Sequence, residues 1–254
     1  MSARRPLAGV GVIVTRPARQ AAGLTAQLAT LGATPIVFPA IAILPPSDHA
    51  PLARAHASLA SYDAAVFVSA NAAEYGAPGH WPPTVKAYAT GPGTAGALHA
   101  VGVPDVAIPE TTYDGEGLLA LPALADLRGR RVAIFRGEGG RDHLACALRA
   151  RGAHVDCIDC YRRARPASGA AGLEEALLAG RAHALTITSS EGLDNLRALL
   201  GGRALDVLRA MPTFVPHPRI EAHARDLGLR AVCTGSGDAG LVAGLLEWFS
   251  SHRT

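Results

Sequence analysis

Short apolar runs alternate with amphipathic stretches along the chain. The runs VGVIV, AAVFV, VAIF, ALTIT and PTFV are continuous, which is typical of strands buried on both faces of a parallel sheet. Helical spacing of apolar residues separates these runs. The pattern predicts an α/β fold with a parallel sheet covered on both faces, and helices at about 18–31, 71–75, 93–100, 115–120, 141–151, 172–179, 191–200, 219–227 and 238–249.

The second half of the chain repeats the first. The stretch that begins at Val12 aligns without gaps with the stretch that begins at Val132, and Arg16 then falls on Arg136. The same register aligns AAVFVSANAAEY with ALTITSSEGLDN, and a slightly shifted one aligns ATGPGTAGALHAVGV with FVPHPRIEAHARDLGL. Two copies are too few for a solenoid, so the repeat predicts paired domains.

Two segments at the same place in both copies are predicted to link the domains. TPIVFPAIAILPP and DCIDCYRRARP each end on proline, which tends to close a strand. If these strands pair with each other, the chain crosses twice, and the first domain combines the head of copy one with the tail of copy two. The predicted bounds are 1–38 with 167–254 for a first, discontinuous α/β domain, 46–156 for a second α/β domain, and 39–45 with 157–166 for the linker strands.

Composition narrows the class of protein. The chain has 254 residues, 49% of them hydrophobic, which suffices for one large or two smaller well-buried domains. Its net charge is only +3, without a Lys/Arg run, which argues against a nucleic-acid partner but is compatible with a small anionic ligand. The apolar runs are much shorter than the roughly 20 residues of a membrane span, and MSARRPLAG lacks a signal-peptide core, so we expect a cytoplasmic protein without a membrane partner.

The four cysteines include a C-x-x-C pair at Cys157 and Cys160. In HVDCIDCYRR, polar and apolar residues alternate as in a strand, so side chains three positions apart point to opposite faces. A second ligand pair at metal spacing does not follow. We therefore predict neither a metal site nor a redox pair.

The stretch VAIFRGEGGRDHLACALRARG runs from a strand through glycines into a helix. Such a turn directs backbone N–H groups and the positive end of a helix dipole toward the carboxyl edge of the sheet, where anions bind. RGEGGRD matches no nucleotide-binding fingerprint, because no Lys or Ser/Thr follows its glycines. The site is predicted to bind an anion other than a nucleotide.

Several motifs, taken in order, resemble the uroporphyrinogen-III synthase family over essentially the whole chain. They are VIVTRP, VFVSANA, YATGPGTAGAL, RGEGGRDHLACALRARGAHVDCIDCYRRARP and PTFVPHPRIEAHARDLGL. The resemblance implies two flavodoxin-like parallel-sheet domains joined by a two-stranded antiparallel β-ladder, with an active site in the cleft between the domains. It also implies an enzyme without a cofactor, a lyase of tetrapyrrole and heme biosynthesis that cyclises hydroxymethylbilane to uroporphyrinogen III with inversion of ring D.

The substrate implied by this resemblance carries many carboxylates, so donors at the strand ends of both domains become its candidate ligands. Ser69, Ser189 and Thr94 have an equally good alternative as helix N-caps, and Gly91 as a turn residue. Arg16 and Arg136 have the alternative of surface ion pairs. The candidate substrate-binding residues are Thr15, Arg16, Ser69, Ala70, Asn71, Thr90, Gly91, Thr94, Arg136, Gly137, Gly139, Gly140, Ser189, Ser190, His217 and Arg219.

One residue is a candidate catalytic group. Tyr161 resembles the tyrosine proposed in the family to assist loss of the substrate's hydroxyl, and a phenol can donate a proton to a departing hydroxyl. The alternative is a ring that only packs against the hinge. His217 lies between two prolines, where it would meet a carboxylate. Arg219 stands where the first copy has Thr94, so this half of the site departs from the first copy.

Two other classes of protein remain open from the residues. One is a non-catalytic two-domain binding or sensory module for an anionic small molecule, although the missing signal peptide argues against a periplasmic form. The other is a nucleotide-dependent enzyme, which would need a phosphate loop. For an enzyme of this family, we expect a monomer that acts on small-molecule hydroxymethylbilane, with transient hand-over from hydroxymethylbilane synthase.

Overall fold

The structure is a computed structural model that describes residues 5–252. The strands are β1 (Gly11–Val14), β2 (Thr34–Val37), β3 (Ala42–Leu44), β4 (Ala64–Phe67), β5 (Lys86–Ala89), β6 (Val106–Ala107), β7 (Arg131–Gly137), β8 (His154–Ala164), β9 (Ala184–Thr186), β10 (Pro212–Val215) and β11 (Arg230–Cys233). The helices are α1 (Ala18–Thr30), α2 (Ala50–Ala57), α3 (Ala70–Gly76), α4 (Pro92–Ala100), α5 (Gly115–Leu119), α6 (His143–Ala150), α7 (Ala171–Leu178), α8 (Ser190–Leu199), α9 (Gly202–Ala210), α10 (Pro218–Asp226) and α11 (Gly237–Ser251). Short 3-10 helices lie at Leu59–Ser61 and Pro122–Leu124.

The chain divides into two compact units. Residues up to Ala42 and from Ala164 onward form the first unit, and Ile43–Arg163 form the second. In the first unit, five strands form one sheet in the order β11-β10-β9-β1-β2, with parallel neighbours throughout. This unit combines β1 and β2 from the first copy of the repeat with three strands from the second copy.

The second unit is built from the complementary parts of the repeat. Its six strands follow the order β3-β8-β7-β4-β5-β6, and all neighbouring pairs from β8 to β6 are parallel. Here β7 and β8 come from the second copy and β4 to β6 from the first. Apart from β3, both sheets thus have the same strand order, which is that of flavodoxin. The predicted parallel α/β architecture is confirmed.

The strand β8 crosses a predicted boundary without a break. It is one strand of 11 residues that pairs with β7 from Arg131↔His154 to Gly137↔Tyr161. The segment predicted as a second linker strand is therefore largely a continuation of this sheet strand. The three-residue β3 lies beside β8 in the same sheet. Antiparallel pairing of two linker strands stays a prediction.

Each sheet is packed on both faces, as continuous apolar strands require. In β1, Val12 and Val14 belong to one buried cluster and Ile13 to the cluster on the opposite face. In the second unit, Phe67 and Phe135 stack with ring centroids 4.6 Å apart and an interplanar angle of 5°. Both rings are fully buried, so they form the centre of one layer under the sheet.

Two helices were absent from the sequence prediction. The helix α2 lies where the sequence predicts a connection, because APLARAHA buries only Ala55 and so has a weak periodic signal. The helix α9 buries Ala204 and Leu208, one helical turn apart, although two glycines precede this turn and hide the start of the helix. Both helices contribute buried residues to the layers that pack on the sheets, and they leave the strand order unchanged.

Cys157 and Cys160 lie on opposite sides of β8, as the alternating pattern predicts. Cys160 is buried in the layer that contains the two stacked phenylalanines, and its thiol contacts the carbonyl oxygen of Arg136 at 3.2 Å. Burial raises the pKa of Cys160 to about 12. Cys157 packs against the other layer. Within residues 5–252, no three His, Cys, Asp or Glu side chains are grouped so that they could hold a metal ion.

None of the helices among the described residues combines the length and the apolar character that crossing a membrane would require.

Candidate active site

A pocket of about 650 Å³ lies in the second unit, where β4, β5 and β7 end. In this sheet the chain order reverses between β7 and β4, and ligands of open α/β sheets bind outside the carboxyl ends of strands at such a switch point. Six of the ten predicted substrate-binding residues of this unit, and the predicted catalytic group, line the pocket. They are Ser69, Thr90, Arg136, Gly137, Gly139, Gly140 and Tyr161.

The loop after β7 forms the glycine-rich wall of the pocket. Gly139 has a φ of 70°, which favours glycine, and the Gly140 N–H donates to the Gly137 carbonyl at 3.1 Å to close a tight turn. The Glu138 N–H donates to the Tyr161 carbonyl at 2.8 Å. The Glu138 carboxylate in turn accepts hydrogen bonds from the Ser47 backbone N–H and hydroxyl. The loop is thus fixed at both sides.

Arg136 is held at the end of β7 by two carboxylates. Its Nε donates to Asp159 at 2.9 Å, and its Nη1 donates to Asp142 at 2.6 Å and to the Gly140 carbonyl at 3.2 Å. Burial opposes the charged guanidinium, but the bonds to Asp142 and Asp159 outweigh it and raise the pKa of Arg136. The hydrogen bond from Arg136 also lowers the pKa of the Asp142 carboxyl.

Because the pKa of Asp142 is lower in the folded protein than in the unfolded chain, the ion pair stabilises the fold at pH values above the ordinary pKa of aspartate. This stabilisation is lost as the pH falls through the lowered pKa.

Tyr161 lies on β8 with its phenol at the pocket. The side chain is buried, at 3% exposure, and its Oη lies 3.2 Å from the Ser69 Oγ. Its ring covers Gly137, where a Cβ would lie 2.7 Å from the Tyr161 Cζ. The Tyr75 ring packs beside it, with centroids 6.3 Å apart. A residue with a side chain at position 137 would therefore displace the phenol.

The turn between β5 and α4 supplies the third strand end. The hydroxyls of Thr90 and Thr94 lie 3.4 Å apart, and Thr94 is buried. The backbone of Gly91 contacts Tyr113, because a Cβ on Gly91 would lie 2.8 Å from the Tyr113 Cβ. Thr90 lines the pocket, and Gly91 lies beside Tyr113, which also lines it.

Both serines that were predicted either as ligands or as caps are helix N-caps. Ser69 Oγ accepts from the Ala72 N–H at 3.1 Å at the start of α3, and Ser189 Oγ accepts from the Gly192 N–H at 3.0 Å at the start of α8. The remaining candidates of these turns lie in the first turns of the two helices. They are Ala70, Asn71 and Ser190.

In the first unit, the two residues after β1 already have protein partners. The buried Thr15 hydroxyl donates to the Thr186 carbonyl at 2.8 Å, which joins β1 to the end of β9. Arg16 donates to Asp238 in an ion pair, and only 18% of its side chain is exposed. The alternative of an ion pair is thus realised for both arginines of the repeat, although largely out of solvent.

The histidine turn of the first unit lies on the surface. His217 caps α10 with its ring, because Nδ1 accepts from the Arg219 N–H at 3.0 Å. Both side chains are exposed. The structure therefore brings these two candidates together at the carboxyl end of β10, with a capping role for His217.

Comparison with known proteins agrees with this geometry. The model of the family described as "Uroporphyrinogen-III synthase HemD" matches residues 22–239. The chain belongs to the uroporphyrinogen-III synthase family. The resemblance seen in the motifs is thereby confirmed.

Named uroporphyrinogen-III synthases are similar to most of the chain. The enzyme of Salmonella typhimurium is 33% identical over 201 residues, which cover 75% of this chain and 80% of the relative. The enzyme of Escherichia coli is 33% identical over 199 residues, with the same shares covered. The family consists of cyclising lyases of heme biosynthesis.

Solved uroporphyrinogen-III synthases share the fold. A mutant enzyme of Thermus thermophilus aligns with 96% of this chain and 100% of its own, at a TM-score of 0.56 and 21% identity. The enzyme of Helicobacter pylori aligns with 94% of this chain and 99% of its own, at a TM-score of 0.58 and 13% identity. At such identities the likeness concerns the fold alone.

Several residues that line the pocket of this uroporphyrinogen-III synthase family member were not predicted from the sequence. The loop before α5 contributes Tyr113, which is 56% exposed at the pocket. Glu116 accepts from His143 Nε2 at 2.6 Å across the same pocket. These residues follow no strand end, which is where candidates were sought. A signal that could have found them is the sequence YDGEG, in which Asp114 caps α5 by accepting from the Gly117 N–H at 3.0 Å.

Proposed function

We propose that this chain cyclises hydroxymethylbilane to uroporphyrinogen III, with inversion of ring D and release of water. Membership of the uroporphyrinogen-III synthase family supports the reaction. The observation that carries it is the Tyr161 phenol at a pocket that also contains Arg136, Arg141 and His143. Such a pocket suits a substrate with carboxylate arms and a hydroxyl that must depart.

The reaction begins when the hydroxyl on ring A leaves as water and an azafulvene cation remains. We propose that Tyr161 donates the proton to this hydroxyl. The substituted α-carbon of ring D then attacks, and a spiro-pyrrolenine forms, fragments and recombines before the ring closes. Because closure without inversion happens spontaneously, the protein contributes mainly by holding the reacting groups in one geometry.

The other candidates are proposed to bind the carboxylate arms. In the second unit, the glycine-rich loop at Gly137, Gly139 and Gly140 and the guanidinium of Arg136 suit this role, although the Gly140 N–H already donates to the Gly137 carbonyl and would have to exchange that bond for a carboxylate. In the first unit, a substrate carboxylate at Arg16 would compete with Asp238. The further proposed contacts are Thr15, Ala70, Asn71, Thr90, Gly91, Thr94, Ser189, Ser190, His217 and Arg219. Ser69 lies beside them with its hydroxyl 3.2 Å from the Tyr161 Oη.

Organisation and partners are proposed with the reaction. We propose domains at 1–38 with 167–254 and at 46–156, linked by antiparallel strands at 39–45 and 157–166. We also propose a cytoplasmic monomer that needs no cofactor. Free hydroxymethylbilane closes spontaneously without inversion of ring D. Transient hand-over from hydroxymethylbilane synthase would limit this side reaction.

Product analysis tests the proposed function. The purified chain is incubated with hydroxymethylbilane, the products are oxidised to porphyrins, and the type I and type III isomers are separated by chromatography. We expect the type III isomer, with heat-denatured protein as the control that gives type I. If native protein gives only the type I isomer, the proposed enzyme activity is wrong, and the alternative of a binding module for an anionic small molecule remains.

Arg136→Ala is expected to raise KM about tenfold or more with a smaller loss in kcat, because a charge-assisted contact to a substrate carboxylate is lost. The matched control is Arg130→Ala, which removes another ion pair of the same unit, with Asp63 at 2.6 Å, away from the pocket. Steady-state kinetics of both variants are compared with the parent. An unchanged KM in folded Arg136→Ala would leave Arg136 only the role of holding Asp142 and Asp159.

A further inference from the structure

Ser69 connects the backbone of α3 to the phenol of Tyr161. Its Oγ accepts from the Ala72 N–H at 3.1 Å and lies 3.2 Å from the Tyr161 Oη. A serine hydroxyl has one proton to donate and two lone pairs to accept with. Among the described residues, these two groups are the only hydrogen-bond partners of the Ser69 hydroxyl.

The bond between the Ser69 and Tyr161 hydroxyls can be donated by either oxygen. With Ser69 as the donor, the serine uses its one proton and one of its two lone pairs, and the phenol proton is free. That proton then faces the pocket that Tyr161 and Ser69 both line. Accepting from an amide also polarises the serine O–H, which makes it a better donor.

The repeat contains a natural comparison for this pair. Ser189 caps α8 with the same geometry, by accepting from the Gly192 N–H at 3.0 Å. The residue aligned with Tyr161 is Ile41, whose Cδ1 would lie 3.6 Å from a Cβ on Gly192. An apolar side chain thus lies in the first unit where the second has a phenol. Capping alone therefore does not need the tyrosine.

We propose that Ser69 is a positioning residue for Tyr161, which orients the phenol and stabilises the phenolate left by proton transfer. The inference rests on the proposed function and deepens it. In the step concerned, the C–O bond of the substrate hydroxymethyl breaks with its electron pair going to oxygen. That oxygen takes the proton of the Tyr161 Oη and leaves as water, so that an azafulvene cation and a phenolate remain.

The phenolate is the state in which Ser69 matters most. A neutral hydroxyl donates a stronger hydrogen bond to an anionic oxygen than to a neutral one. When the pyrrole ring that attacked loses its proton to regain aromaticity, the phenolate takes up that proton and the site is restored. The packing of the Tyr161 ring on Gly137 and Tyr75 keeps the phenol from turning to another partner.

Kinetics of Ser69 variants test the inference. We expect Ser69→Ala to lower kcat about 10- to 100-fold with little change in KM, because the lost bond is made to a developing charge. Ser69→Thr retains a hydroxyl and a cap and is expected to restore most of kcat. Ser189→Ala removes the matched cap, so its loss in Tm shows how much of any instability of Ser69→Ala is due to capping.

A double-mutant cycle separates positioning from a merely structural role. In the Tyr161→Phe background, Ser69→Ala is expected to change kcat by less than about twofold, because the group through which it acts is gone. Equal losses in both backgrounds, an unchanged kcat in Ser69→Ala, or a raised KM alone would overturn the inference. A fully active Tyr161→Phe would overturn it as well.

The same measurements keep the two proposals apart. If the parent protein makes the type III product and Ser69→Ala retains full kcat, the proposed role of Ser69 is wrong and the proposed function still holds. A parent that makes no type III product removes the proposed function, and the role of Ser69 with it.

Discussion

Replacing Tyr161 with phenylalanine is expected to lower kcat by about 10²- to 10⁴-fold, the usual contribution of a positioned proton donor. The ring is buried and packs on Gly137 and Tyr75, contacts that phenylalanine retains. Fold and substrate binding should therefore stay, and the product should remain the type III isomer. The measurement is kcat and KM with isomer analysis of the product.

The control for Tyr161→Phe is Tyr62→Phe. Tyr62 belongs to the same buried cluster, and its Oη donates to Asp156 at 2.7 Å, away from the pocket. Removal of this hydroxyl should leave kcat unchanged. Full activity of Tyr161→Phe would make Tyr161 a packing residue, and type I product from a folded variant would mean that its hydroxyl controls ring orientation.

The fold was largely predictable because its signals are local. Continuous apolar runs identify strands buried on both faces, and β4 and β7 follow this pattern. The repeat adds long-range information. The first two strands of one copy can form a sheet with the last three strands of the other copy, which gives two equivalent sheets. The repeat also places two proline-ended segments, which contain β3 and most of β8, at equivalent positions and so predicts that they pair, and β3 does lie beside β8. The short length of β3 was not visible, because three residues carry too little pattern.

The candidate site was predictable only where it lies at strand ends. Ser69 and Arg136 follow apolar strands in both copies, so their type and position were visible. Their partners were not. Arg16 pairs with Asp238 from 222 positions away, and only the folded chain brings such charges together. Tyr113 was missed for a related reason, since an exposed ring in a loop leaves no periodic signal.

Phe135→Ala is expected to lower the free energy of unfolding of the second unit by about 3–5 kcal/mol, which is a large part of the stability of a typical domain. Phe135 is fully buried and stacks on Phe67 with ring centroids 4.6 Å apart. Its removal leaves a cavity directly beneath the end of β7, next to Arg136. The stacked pair also contributes beyond its buried area, so repacking can recover only part of the loss.

The two tryptophans allow this loss to be measured in one unit. Trp81 lies in the second unit, 6.1 Å from the Phe67 ring, and Trp248 lies in the first unit. In a Trp248→Phe background, Trp81 fluorescence during urea unfolding reports on the second unit, which avoids treating both units as one two-state transition. Val101→Ala, which shortens a side chain of the second unit that is 40% exposed, serves as the control and should change the unfolding free energy by less than about 0.5 kcal/mol. A loss no larger than this in Phe135→Ala would mean that the stacked rings are not the centre of the second unit's core.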